Sequence, residues 1–201
     1  MVPSAGHSDG TYADLKKVYD IGLRSVTHLY SGMSTITRKD GYRIPGILEA
    51  AYLLDNVKAE VIADGCHLPA ELLKLIVKSF GEENVCLVTD AMRGAGMEEG
   101  ESELGRKGES MACIIEDGVA KLPDRTSFAG SVATADRLVR TMIQKAEVPI
   151  WEAVGMMTEN PAKVLGLSKK GLLYAGYDAD ILIFDENINI KKVFVMGKNI
   201  I

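Results

Sequence analysis

A chain of 201 residues with 47% hydrophobic and 25% charged content has room for one globular domain, or one domain with a small appendage. The net charge of −5 and the absence of a basic stripe exclude a nucleic-acid binder, and no apolar run is long enough to span a membrane. No basic segment followed by an apolar one marks a signal peptide, and the odd set Cys66, Cys86 and Cys113, in or beside apolar strand patterns, reads as free thiols buried in a reducing cytoplasm.

The first elements alternate. The run Val2-Pro3-Ser4-Ala5-Gly6 leads to His7, and Thr11 can cap a helix through about Ile21, with Asp14 in the capping-box position and Gly22 as the stop. The run Ser25-Val26-Thr27 leads to His28. A Gly- and Ser-bearing loop then runs from Ser31 to Gly46, and a helix begins near Pro45. The strand Lys58 to Ala63 leads to His67. Pro69 suits the first turn of the next helix, whose stripe is Leu72, Leu73, Ile76 and Phe80 and whose end is Gly81. The apolar run from Asn84 closes at Asp90. Apolar strands between helices predict an α/β fold with a parallel sheet covered on both faces.

Beyond Asp90 the pattern changes. Gly94 to Ser110, rich in Gly and Glu, reads as a mobile loop. Met111 to Ile115 and Val119 to Leu122 flank Glu116-Asp117-Gly118, a hairpin signal. Helices are predicted from Val132 to Ala146, from Ile150 to Met157, and from Asn160-Pro161 to Gly166. Ala179 to Phe184 and Lys192 to Gly197 read as strands of a small β unit.

All three histidines of the chain fall at strand exits, and Asp90 joins them. In a parallel β/α barrel such side chains converge on the mouth that carries the active site. A lone strand-end histidine is most often structural; three histidines and an aspartate in phase with four βα units point to a metal or catalytic centre. His7 and His28, on successive strands, are neighbours on that mouth and offer imidazole nitrogens to a divalent ion. Asp90 is either a further ligand or the general base. Asp9 and Asp64 read as cap and turn residues. Arg38 and Arg43 flank the loop on the active face, where a guanidinium fork suits phosphate. Met142, Met156 and Met157 read as core packing.

As a set, Ala5-Gly6-His7-Ser8-Asp9-Gly10-Thr11-Tyr12, Thr27-His28-Leu29-Tyr30, Ile62-Ala63-Asp64-Gly65-Cys66-His67 and Leu87-Val88-Thr89-Asp90-Ala91 resemble the N-acetylglucosamine-6-phosphate deacetylase family of amidohydrolases. Glu159-Asn160-Pro161-Ala162 and the stretch Gly171 to Asp180 resemble the closing helix and returning strands of that superfamily. The resemblance implies metal-dependent removal of an N-acetyl group from an amino-sugar phosphate. It implies His7 and His28 as metal ligands, His67 as the group that polarises the acyl carbonyl, and Asp90 as the general base. It also implies substrate contacts from Ser31, Gly32, Arg43, Asp64, Gly65, Cys66, His67, Phe128, Ala129 and Gly130. The implied cofactor is a divalent cation, zinc or iron first, manganese or cobalt otherwise.

By the same resemblance, residues 1–168 correspond to barrel strands five to eight with a hairpin insertion and closing helices, and 169–201 to the C-terminal strands of a small β domain. Two departures stand out. Ser31-Gly32-Met33 replaces the usual Asn-Ala-Met and is followed by a longer loop bearing Arg38, which leaves a different N-acyl amino sugar as an alternative substrate. The family's four earlier βα units, with their glutamate ligand, have no counterpart here. The expectation is therefore either a homo-oligomer or a subunit that needs an N-terminal half to be catalytically complete.

Overall fold

The computed structural model describes residues 1–106 and 108–201. Its first half alternates as the sequence predicts: β1 (Ser4–Ala5), α1 (Tyr12–Asp20), β2 (Ser25–Val26), a small hairpin of β3 (Thr37–Lys39) and β4 (Tyr42–Ile44), α2 (Ile47–Leu53), β5 (Lys58–Val61), α3 (Ala70–Phe80), one 3-10 turn, and β6 (Val85–Leu87). Strands β1, β2, β5 and β6 form one parallel sheet in that order. The β3–β4 hairpin lies inside the segment read from sequence as plain loop.

The sheet forms because its strands bury apolar side chains against the helices. Val26, Ala59, Val61, Val85 and Leu87 share one core with Leu15 of α1, Ile47, Ala50 and Ala51 of α2, and Leu73 and Ile76 of α3. Local signals set the helix ends. The Asp14 carboxylate accepts the Thr11 backbone N–H at 3.0 Å, and the Glu49 carboxylate accepts the Gly46 N–H at 2.7 Å. Gly81, at φ +77, ends α3 in a conformation that glycine adopts freely.

After β6 comes a separate antiparallel sheet of β7 (Gly100–Leu104), β8 (Met111–Glu116) and β9 (Val119–Lys121). The expected mobile loop at Gly94–Ser110 is corrected here: β7 pairs with β8 from Gly100↔Ile115 to Leu104↔Met111. The half-buried Ser102 and Leu104 alternate with exposed glutamates, a two-residue period masked by the Gly- and Glu-rich composition. Lys107 of that stretch lies outside the described residues. The β8–β9 turn places Asp117 at φ +53 and Gly118 at φ +71, the geometry that Asp-Gly favours. Met92, Cys113, Ile115, Ala120 and Ala129 form the sheet's own small core.

Helices α4 (Ala135–Gln144), α5 (Ile150–Met157) and α6 (Glu159–Leu165) follow. α4 starts three residues later than the sequence suggested, because Ser131 is still bridged to Ala91 in a parallel pair. The buried Asn160 donates to the carbonyls of Glu82 and Val85 at 2.7 and 2.8 Å, which pins α6 beneath β6. Strands β10 (Ile181–Phe184), β11 (Ile190–Val195) and β12 (Lys198–Asn199) form a final antiparallel sheet. Among the described residues, no helix is long and apolar enough to cross a membrane.

Candidate active site

Three residues just past the C-terminal ends of parallel strands adopt a left-handed backbone: His7 at φ +44, His28 at +29 and Asp90 at +47. Such conformations cost about 1–3 kcal/mol each outside glycine and gather where function demands them. Here they bring all three side chains to one pocket at the mouth of the sheet. The His7 and His28 rings meet edge to face, with centroids 4.8 Å apart and planes at 84°. The loops behind them are stitched together: Ser8 N–H donates to the Gly32 carbonyl at 2.9 Å, and Ser34 N–H to the Ser8 carbonyl at 3.0 Å.

His28 is only 7% exposed, and its Nδ1 is the one buried side-chain nitrogen or oxygen among the described residues without a hydrogen-bond partner. A buried imidazole nitrogen left unpaired is costly, and coordination of a cation would satisfy it. The donor set therefore fits a divalent metal shared by His7 and His28. Among the described residues, no third His, Cys, Asp or Glu completes a ligand group with them.

His67 is held differently. It follows β5 on a tight loop organised by Asp64, whose side chain has no exposed surface. One Asp64 oxygen accepts the backbone N–H groups of Cys66 and His67, both at 2.8 Å. The other lies 2.7 Å from His67 Nδ1. Burial alone would push the Asp64 carboxyl up, but these bonds from His67 and Cys66 outweigh it and hold the carboxyl below its ordinary range. An ionised Asp64 commits Nδ1 to carrying a hydrogen, leaving Nε2 as the imidazole's second functional atom. The ring also packs against Phe128, with centroids 4.9 Å apart.

The pocket encloses about 580 Å³. His7, His28, His67 and Asp90 line it together with Ser31, Gly32, Phe128, Ala129 and Gly130 of the predicted set. Asp64, Gly65 and Cys66 do not line it; they lie behind His67, so Asp64 serves the site through the imidazole. Arg43 does not line it either. It sits on the exposed hairpin, directly across from Arg38. Sequence reasoning missed Ala91, Met92, Ser127 and Leu104 as lining residues. Leu104 lies on β7, whose Gly- and Glu-rich sequence masks the strand period.

Glu60 was also missed. It lies half-buried on β5, in register with Cys86. Burial pushes its carboxyl up; the His28 backbone N–H and imidazole pull it back, and the charge of Asp90 adds to the rise. The sequence signal was a lone carboxylate inside a strand whose neighbours are apolar.

Gly32 has a specific steric role. A Cβ built on it would stand 2.6 Å from His7 Nδ1, and its φ is +58. Gly32→Ala is therefore expected to displace the His7 ring and weaken Zn²⁺ binding about 10–100-fold, the usual cost of disturbing a ligand's supports. Competition titration against a chromophoric chelator reads this; unchanged affinity would remove Gly32 from the site.

The amidohydrolase family model matches residues 2–200. The chain is 35% identical over 198 residues to N-acetylglucosamine-6-phosphate deacetylase of Lysinibacillus sphaericus, covering 98% of this chain and 49% of that protein. It is 29% identical over 194 residues to N-acetylgalactosamine-6-phosphate deacetylase of Escherichia coli O157:H7, covering 96% and 49%. Among solved structures, N-acetylglucosamine-6-phosphate deacetylase of Thermotoga maritima superposes with a TM-score of 0.90 at 32% identity, over 100% of this chain and 53% of that one. An aspartate-to-alanine mutant of the Mycobacterium smegmatis enzyme, in complex with N-acetyl-D-glucosamine-6-phosphate, superposes with a TM-score of 0.88 at 30% identity, over 99% and 51%. The chain thus spans about half the length of the relatives it matches. By fold and sequence, it belongs to the amidohydrolase family.

Proposed function

We propose that this chain carries the catalytic half-site of a hydrolase that removes the N-acetyl group from an amino-sugar phosphate such as N-acetylglucosamine 6-phosphate. The observation that carries the reading is the convergence of His7, His28, Asp90 and the Asp64-held His67 on one pocket. His7 and His28 would hold a divalent cation, zinc or iron in first place and manganese or cobalt otherwise. Such an ion supplies Lewis acidity, which makes water a nucleophile near neutral pH.

The chain's own residues do the rest. Asp90 takes a proton from the attacking water as its oxygen bonds to the acetamide carbon. His67, with Nδ1–H committed to Asp64, donates from Nε2 to the acyl oxygen in its protonated form. The Asp64 carboxylate balances that charge, and the donor meets the oxygen where negative charge develops. Asp90 then returns its proton to the amine nitrogen as the carbon–nitrogen bond breaks, leaving acetate and the free amino sugar. Phe128 and the Ala129-Gly130 backbone form the wall facing the sugar. Three free thiols and the site's chemistry suit a cytoplasmic enzyme.

The test is acetate release from N-acetylglucosamine 6-phosphate and N-acetylgalactosamine 6-phosphate by the full-length, metal-loaded protein. Equal yields of acetate and amine are expected from at least one of them. Release from neither would sink the reading.

Arg43 stands on the exposed hairpin outside the pocket lining, and the phosphate role proposed for it rests on the resemblance of Arg43-Ile44-Pro45-Gly46. Arg43→Ala is expected to raise KM for the phosphorylated sugar by about tenfold or more, as loss of a charge-assisted bond worth about 1.5–3 kcal/mol implies. The unphosphorylated sugar should be little affected. The same shift from Arg38→Ala alone would move the role across the hairpin.

Strands β1 and β6 lie at the edges of the parallel sheet. Parallel edges are seldom left open. We propose that a second copy, or another half barrel, pairs with them in the working protein. Light scattering during size exclusion should show a species heavier than one 21.7 kDa chain. A monodisperse monomer that binds no apolar dye would refute this.

A further inference from the structure

Arg137 of α4 stands outside the pocket lining, and none of the roles above uses it. Its guanidinium bridges two segments distant in sequence. Nε and Nη2 both donate to the Asp64 carbonyl, at 3.1 and 2.8 Å. Nη1 donates to the Gly118 carbonyl at 2.7 Å. Nη2 also lies 3.4 Å from Cys66 Sγ, whose thiol reaches the Asp117 carbonyl at 3.7 Å. The approach is close enough that a Cβ on Gly118 would stand 3.0 Å from Nη1.

Each end of this bridge reaches His67. Asp64 is the residue whose carboxylate holds Nδ1. Gly118 is the turn of the β8–β9 hairpin. That hairpin carries Phe128 against the imidazole, because Lys121 bridges Phe128 and the Ala129 N–H donates to the Ala120 carbonyl at 2.8 Å. One guanidinium therefore fixes the loop that grips the ring from behind and the sheet that packs a phenyl group against it.

We propose that Arg137 is a positioning residue for His67, locking the Asp64–His67 loop and the inserted sheet into a single geometry. The planar fork is what makes the bridge possible. A lysine ammonium is a point charge with no rigid spread of donors, so it can serve one carbonyl well and not both. The positional claim stands on the contacts alone; only its kinetic consequence rests on the proposed role of His67.

The chain has three histidines, so the imidazole nitrogens of the ¹⁵N-labelled protein can be assigned with single His→Gln variants. In the parent, His67 is expected to show a protonated Nδ1. Arg137→Lys and Arg137→Ala should lose that fixed signature toward an average of the two tautomers, while His7 and His28 keep their shifts. Gly118→Ala, which crowds the guanidinium without removing it, should change His67 in the same way and serves as the second variant if Arg137→Ala does not fold. In the full-length enzyme, Arg137→Lys should lower kcat about tenfold with little change in KM.

An unchanged His67 signature in folded Arg137→Lys and Gly118→Ala overturns the proposal. So does a simultaneous change in all three histidines, which marks general loss of structure. If the full-length parent releases no acetate, the catalytic reading fails and the imidazole signature still decides the role of Arg137.

Discussion

Asp90→Asn in the full-length, metal-loaded protein is expected to cut acetate release by about 10²–10⁴-fold, the range for removal of a general base. Metal content should stay near the parent's. The two expectations together separate the roles open to a strand-end carboxylate. A ligand lost from a two-histidine site takes the metal with it, whereas a lost base does not. Asp90 lines the pocket and is exposed. Its backbone is braced, since its carbonyl accepts the Ser131 N–H at 3.2 Å and Met92 N–H donates to the Ser131 carbonyl at 2.9 Å. The isosteric amide keeps that bracing, so a rate loss reports chemistry rather than collapse. Elemental analysis beside the kinetics decides it, and parallel loss of metal and rate would make Asp90 a ligand.

The site was legible where a residue's role follows from its place on a strand. His7, His28 and Asp90 end apolar runs in phase with the βα repeat, and the sheet order β1-β2-β5-β6 puts them on one mouth. The left-handed backbone that aims them leaves no mark in sequence, since His and Asp adopt it more readily than most residues other than glycine.

Asp64 was read as a turn former, and it does hold the turn. Its second oxygen goes to His67, and the Asp-x-x-His spacing was the available signal. β7 escaped because two half-buried positions in a glutamate-rich run carry too little apolar contrast to stand out. Arg137 had no signal at all. It resembles any charged residue on an amphipathic helix, and its partners are backbone carbonyls distant along the chain.

Asp64→Asn is expected to spare the fold and cripple the histidine, with kcat falling by about 10²-fold, the cost of weakening a group that stabilises developing negative charge. An amide oxygen can still accept the Cys66 and His67 backbone N–H groups. The amide nitrogen, however, now faces His67 Nδ1 and donates to it. Nδ1 then accepts and can carry no hydrogen of its own, so the doubly protonated ring is disfavoured, and the negative charge that balanced it is gone. Asp64→Ala should be harsher on stability, by about 1–3 kcal/mol, because it strands two part-buried N–H groups and the imidazole together. Acidity tests the charge directly. The folded carboxyl is held below its ordinary range, so its stabilising effect is present above the unfolded value of about 3.9 and is lost as pH falls through the folded value. The stability gap between the parent and Asp64→Asn, read from urea unfolding, should be full at pH 7 and narrow steadily below about pH 4. A gap that stays constant across that range would mean that Asp64 holds His67 by shape rather than by charge.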